Sequence, residues 1–233
     1  MGDTHGLKPI FELVDKNKIQ DSNIIHVGDL GLGFQEITRD VNNLLVLDEM
    51  LIETNNKLYV IRGNHDNPMF WGIPAGLNLP KLFNVILVKD HILQEIEGKR
   101  IYFAGGAISI DRSIRKIDSP PTWWKNEEYM TPTTSIPKNI DIVVSHNAPD
   151  FAKPIGCNAP IVNDWTKIQK DQGNNLKVEL ILERSLITNL YHDIAVHSNP
   201  KYWFYGHFHG SFKTMYGSTE FIGLNINELK EIN

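Results

Sequence analysis

Cysteine is nearly absent from this 233-residue sequence: Cys157 is the only one. No internal disulfide and no cysteine-based zinc site can form, and a reducing, cytoplasm-like setting fits. Long apolar runs are lacking too. The most hydrophobic stretches, such as "NVILV" at 84–88, are far too short to span a bilayer. Residues 1–20 have no apolar segment behind a basic start, so a secretion signal is not expected. There is no excess of positive charge either. The formal net charge is −5, which gives no footprint for nonspecific nucleic-acid binding. Composition is otherwise ordinary, with 41% hydrophobic and 22% charged residues, and the length suits one α/β domain spanning 1–233.

The apolar pattern alternates between helical and strand periods. "LKPIFELVDKNKI" (7–19), "EITRDVNNLLVLDEMLIETN" (36–55) and "LKVELILERSLITNLYHDI" (176–194) are spaced as helices, the last with Asn174 or Asn175 as a cap. "NIIHV" (23–27), "KLYVI" (57–61), "NVILVKD" (84–90), "DIVVSH" (141–146) and "YWFYGHFH" (202–209) are short strands. Hairpins are expected at 91–106, turning at Glu97-Gly98-Lys99, and at 213–225. Residues 111–138, rich in Pro, Ser, Thr and Trp, form an ordered loop excursion. Together these predict mixed sheet flanked by helices.

Polar residues with ligand chemistry collect in short motifs, each but the first at the end of one of these strands: "GDTHG" with Asp3 and His5, "GDLGLG" with Asp29, "RGNHD" with Asn64, His65 and Asp66, "VVSHNAPD" with His146, and "YGHFH" with His207 and His209. Carboxyl ends of strands are where open α/β sheets bind ligands, so these loops are expected to share one crevice. In extended backbone, residues i and i+2 face the same way, so Asp3/His5 and His207/His209 would each present paired ligands. Carboxylate, imidazole and amide donors suit first-row divalent ions. Two such ions would clamp a phosphoryl group and turn a bridging water into an attacking hydroxide.

The ordered set D-x-H, G-D, G-N-H-D, a lone His and G-H-x-H resembles the calcineurin-like metallophosphoesterases over nearly the whole chain. The resemblance implies a four-layer α/β/β/α sandwich of two mixed β-sheets. It implies two divalent metals, manganese foremost, with iron, zinc or nickel as alternatives. Asp3, His5 and His209 would hold one, Asn64, His146 and His207 the other, with Asp29 bridging. His65 would protonate the leaving group or bind phosphate, with Asp66 orienting its imidazole. The implied activity is hydrolysis of a phosphomonoester or phosphodiester, on a small molecule or nucleotide. The alternatives are a repair-type exonuclease, disfavoured by the acidic charge and the lack of a capping domain after residue 209, and a scaffold that kept the fold without catalysis.

The middle segment resembles a bacterial and phage branch of that family. There Arg112 and Arg115 are candidates to grip substrate phosphate, or else are surface residues paired with Asp111 or Asp118. Trp123 and Trp124 would stack on a base or pack under the loop. "GDLGLGF" lacks the D-R-G of the protein phosphatases, which disfavours that branch. The resemblance also places a β-strand before D-x-H, whereas only Met1 and Gly2 precede Asp3. The expectation is a start upstream of Met1, or a strand from elsewhere, a partner chain included, in that slot.

Overall fold

A computed structural model describes residues 1–154 and 159–232, and Cys157 lies outside them. Three parallel strands, β1 (Asn23–His26), β2 (Lys57–Val60) and β3 (Val85–Leu87), form one sheet in that order. The second sheet has six strands in the order β4-β5-β6-β7-β9-β8. These are β4 (Ile92–Ile96), β5 (Lys99–Ala104), β6 (Ile142–Ser145), β7 (Tyr202–Tyr205), β8 (Phe212–Tyr216) and β9 (Thr219–Gly223). Its centre is parallel, and the β4–β5 and β8–β9 hairpins are antiparallel. The expectation of two mixed sheets therefore holds for the larger one only. Long crossovers, α2 between β1 and β2 and residues 61–84 between β2 and β3, let these strands run parallel, and no hairpin borders the smaller sheet.

Alternation along the strands builds the layers. Ile101 and Phe103 of β5, Ile142 and Val144 of β6 and Phe204 of β7 face inward, meeting Val27, Ile61 and Val88 from the smaller sheet. Tyr102, Val143, Trp203, Tyr205 and Phe221 point the other way, onto Ile187, Leu190, Tyr191 and Ile194 of α5 (Leu176–Ala195). Leu58 and Val60 face outward from β2, onto Ile10 and Val14 of α1 (Lys8–Lys16) and Leu44, Leu47 and Leu51 of α2 (Ile37–Glu53). Helices, sheet, sheet and helix thus stack in four layers, around three separate apolar seams.

Local chemistry explains the element ends. Pro9 starts α1 in its first turn, where no intrahelical N–H is needed. Asn175 Oδ1 caps α5 by accepting from Val178 N–H. Glu97 and Gly98, both at positive φ (51° and 70°), close the β4–β5 turn. Helix α4 (Ala159–Asp171) was not anticipated from the sequence, although Pro160 near its start is a helix-entry signal. Among the described residues, no helix is long and apolar enough to cross a membrane.

The chain's first residues run alongside β1. The Met1 amino group donates to Ile25 O at 2.7 Å, and Val27 N–H donates to Met1 O at 3.1 Å, the pattern of a parallel bridge. On its other side, Gly2 N–H donates to Glu228 O, and Asn227 N–H to Asp3 O. Beyond Met1 lies an open groove of about 1000 Å³ between β1 and residues 229–232, lined by Ile24, Ile25, Ile101, Ile142 and Phe204.

Candidate metal centre

The predicted motifs all lie at the carboxyl ends of parallel strands or in the segment after Met1. Asp29 follows β1, Asn64 and His65 follow β2, His146 follows β6, and His207 and His209 follow β7. Extended i, i+2 pairing is not what brings them together. His5, Asp29, His207 and His209 each have left-handed backbone, with φ of 48°, 57°, 66° and 50°. Such conformations cost on the order of 1 kcal/mol each and turn the chain sharply as it leaves the sheet, so the side chains swing back over the strand ends. Two glycines make room for the carboxylates. A Cβ on Gly206 would lie 2.0 Å from Asp3 Oδ1, and one on Gly63 would lie 2.0 Å from Asp29 Oδ1.

Two clusters share Asp29. In the first, ligand atoms of Asp3, His5, Asp29 and His209 all lie within 4.8 Å of one another. Asp3 Oδ2 accepts from His207 N–H at 2.8 Å, while its Oδ1 is buried without a hydrogen-bond partner. The Nε2 atoms of His5 and His209 face each other at 3.0 Å. In the second, Asn64 Oδ1 is 3.0 Å from His146 Nε2 and 2.9 Å from His207 Nδ1, and Asp29 Oδ1 is 3.3 Å from His146 Nε2.

The tautomers decide what these contacts mean. His146 Nδ1 donates to the Val27 carbonyl at 2.8 Å, and burial keeps this imidazole below its usual pKa and therefore neutral. Its Nε2 then carries a bare lone pair aimed at two oxygens that also only accept. The amide is fixed as well. Asn64 Nδ2 donates to Ser109 Oγ at 3.0 Å, and Arg115 Nη1 donates to the same oxygen. Three lone pairs meeting without a proton between them call for a cation.

The electrostatics agree. Burial, and then the Asp29 charge, raise the Asp3 carboxyl well above the usual carboxylate range. Burial lowers His5 to about 4 and His207 well below the usual imidazole value. Asp29 is held far below the usual range despite its burial, by His146 and His65. A cation would let both carboxylates ionise and would take the imidazole lone pairs. The donor set thus fits divalent metal.

His65 lies at the rim. Its backbone N–H and Nδ1 contact Asp29 at 2.7 and 2.9 Å, and its Nε2 faces Asp111 Oδ2 at 3.7 Å. Burial opposes its charge, yet Asp29 and Asp111 push its pKa up to about 10. The carboxylate hydrogen-bonded to the His65 ring is thus Asp29, and not Asp66 as the sequence leads one to expect. Asp66 instead accepts the N–H groups of Leu30, Gly31, Leu32 and Gly63 at 2.7 to 3.2 Å, which makes it a clamp on the loop after β1. A carboxylate next in sequence to His65 points inward here, because those amides have no other acceptor.

Neither arginine is free to grip phosphate. Arg112 is buried and ion-paired with Glu179 of α5, with Glu128 at 4.0 Å. Arg115 is likewise buried and engaged by Ser109, the carbonyls of Asn64 and Thr122, and Glu127. Of the expected partners, Asp111 lies 3.7 Å from Arg115 Nη1, and the closer carboxylates are Glu179 and Glu127, in the interior and not on the surface. Both arginines sit on a short helix, α3 (Arg112–Arg115), inside the 111–138 excursion. The excursion is anchored by Arg62, whose guanidinium bonds Asp90 and the carbonyls of residues 126–128. Trp124 packs edge-on against Phe34 with ring centres 5.6 Å apart. Ser109, Asp111 and Phe34 had no motif to reveal them. Position after a strand end was the one available signal.

A crevice at strand ends built from carboxylates, imidazoles and a fixed amide belongs to a metal-dependent hydrolase class. The family model described as calcineurin-like phosphoesterase matches residues 1–211, and the chain belongs to that family. The family is metal-dependent, typically with two divalent ions. No curated protein sequence matches the chain.

Proposed function

We propose that this chain is a dinuclear phosphoesterase acting on phosphomonoesters or phosphodiesters. The observation that carries the reading is the pair of lone-pair clusters sharing Asp29. Asp3, His5 and His209 would hold one ion and Asn64, His146 and His207 the other, with Asp29 shared between them. When bound, such a pair supplies charge for the phosphoryl oxygens and lowers the pKa of an attacking water. The protein's own part is positioning. Val27 fixes the His146 tautomer, and Ser109 fixes the Asn64 amide. His65 is held by Asp29 through Nδ1, and its Nε2, 3.7 Å from Asp111 Oδ2, is open to a phosphoryl oxygen or leaving group. Manganese is the ion to test first, with iron, zinc and nickel next.

The assay is hydrolysis of p-nitrophenyl phosphate and bis(p-nitrophenyl) phosphate with added Mn²⁺, alongside metal analysis. His65→Ala should keep its metal and lose about 10²- to 10⁴-fold in turnover. Asp29→Ala should lose both. Failure to hydrolyse either ester with both ions bound would overturn the proposal.

A further inference from the structure

Phe34 is an exposed ring on a rigid pedestal beside the candidate metal centre. It is 41% exposed, and its ring centre lies 5.7 Å from that of His65. A single exposed aromatic is unremarkable on a protein surface. What distinguishes this one is how firmly the structure holds it. The four amides before it, at Leu30, Gly31, Leu32 and Gly33, are bound by two buried carboxylates, Asp66 for the first three and Asp40 for the last. Gly33 is pressed so closely that a Cβ there would lie 2.4 Å from Asn67 Cβ and 2.9 Å from Trp124 Cζ2. The ring is also backed from the interior. The buried Arg115 guanidinium carbon is 5.1 Å from the Phe34 ring centre and 5.3 Å from that of Trp124.

The charges nearby have other work: His65 is held by Asp29 and, on the phosphoesterase reading, meets the phosphate through Nε2, Arg115 is bound by internal acceptors, and Asp66 and Asp40 by backbone. Among the groups next to His65 that are neither candidate metal ligands nor charged, Phe34 offers open surface, and it is an apolar plane. A plane of this kind, held in place before binding, contributes by stacking on another plane, with little ordering cost.

We infer that Phe34, supported by Trp124, is a stacking platform for a planar aromatic ring on the alcohol side of the phosphoester, so that the site selects aryl or nucleobase-bearing esters over alkyl ones. The inference rests on the phosphoesterase reading for the placement of the phosphate. The contact itself can be read without turnover.

The test titrates the Mn²⁺-loaded protein calorimetrically with adenosine monophosphate and with ribose 5-phosphate, which differ by the ring alone. Wild type should bind the nucleotide about tenfold more tightly. Phe34→Ala should bring the ratio close to one, and Phe34→Trp should restore it. In turnover, Phe34→Ala should lose about tenfold more kcat/KM on p-nitrophenyl phosphate than on glycerol 2-phosphate. No preference in wild type, a preference that survives in Phe34→Ala, or no binding of either compound would overturn the platform. Wild type that binds with preference yet hydrolyses no ester would sink the phosphoesterase reading and leave the platform standing.

Discussion

The side-chain amide of Asn64 donates to Ser109 Oγ at 3.0 Å, across 45 residues of sequence. Arg115 Nη1 donates to the same hydroxyl, so the two lone pairs of Ser109 Oγ serve Arg115 and the Asn64 amide nitrogen. The Asn64 oxygen is thereby turned to His146 and His207. Ser109→Ala should remove that constraint and leave two buried donors without an acceptor. The expected result is a loss of about 10- to 100-fold in Mn²⁺ affinity at the site of Asn64, His146 and His207, as for other groups that orient metal ligands. Calorimetric titration resolves the two sites. An unchanged weaker-site affinity would show that the amide is set by something else.

The groove beside Met1 makes a second prediction. The Met1 amine is buried, which pulls its pKa down to about 5, and it donates to Ile25 O as a backbone amide would. An engineered extension of about six residues alternating Val or Ile with Thr, placed before Met1, would replace the amine by an amide and lay apolar side chains on Ile101, Ile142 and Phe204. Thermal melting should rise by several degrees, and Mn²⁺ affinity should rise with it, because Asp3 is tethered through the same segment. A Gly/Ser extension of equal length should do neither. Equal melting curves for the two extensions would count against strand uptake by the groove.

Much of this arrangement was legible in sequence, and the boundary of legibility has a physical cause. Strands such as "DIVVSH" and "YWFYGHFH" alternate or bury continuously, so their existence follows from period, and the ligand motifs at their ends follow from strand termini. The sequence does not reveal how the motif residues divide their contacts. His65 and Asp66 are adjacent, yet one faces the candidate metal centre and the other the loop after β1, because left-handed backbone at Asp29 brings the amides of residues 30–32 to Asp66. Arg112 and Arg115 sit three apart on α3, and their partners, Glu179 and Glu127, are set by tertiary packing. Ser109 meets Asn64 and Arg115 in a segment whose return, residues 126–128, is tied to Arg62. Long-range anchors of this type leave no local pattern.

Glu183 on α5 supplies the pH-dependent prediction. It is fully enclosed, accepting from Tyr129 N–H at 3.2 Å and Asn147 Nδ2 at 2.7 Å, and burial raises its pKa from 4.5 to about 7. Between those values the folded protein holds a proton that the unfolded chain has released. Stability from this group is therefore present below pH 4.5 and is lost as pH rises through about 7. A shift of this size corresponds to roughly 3 kcal/mol. The neutral histidines of the metal centre titrate in the opposite sense, with stability lost as pH falls, so raw melting curves mix the two. Comparison with Glu183→Gln removes them, since they are common to both proteins. The stability of wild type minus that of the variant, from urea melts of metal-free protein at pH 5 to 8, should decline by up to about 3 kcal/mol and level off above pH 7. A difference that stays flat across the range would mean that Glu183 is already ionised inside the fold, with Asn147 and the Tyr129 amide enough to hold its charge.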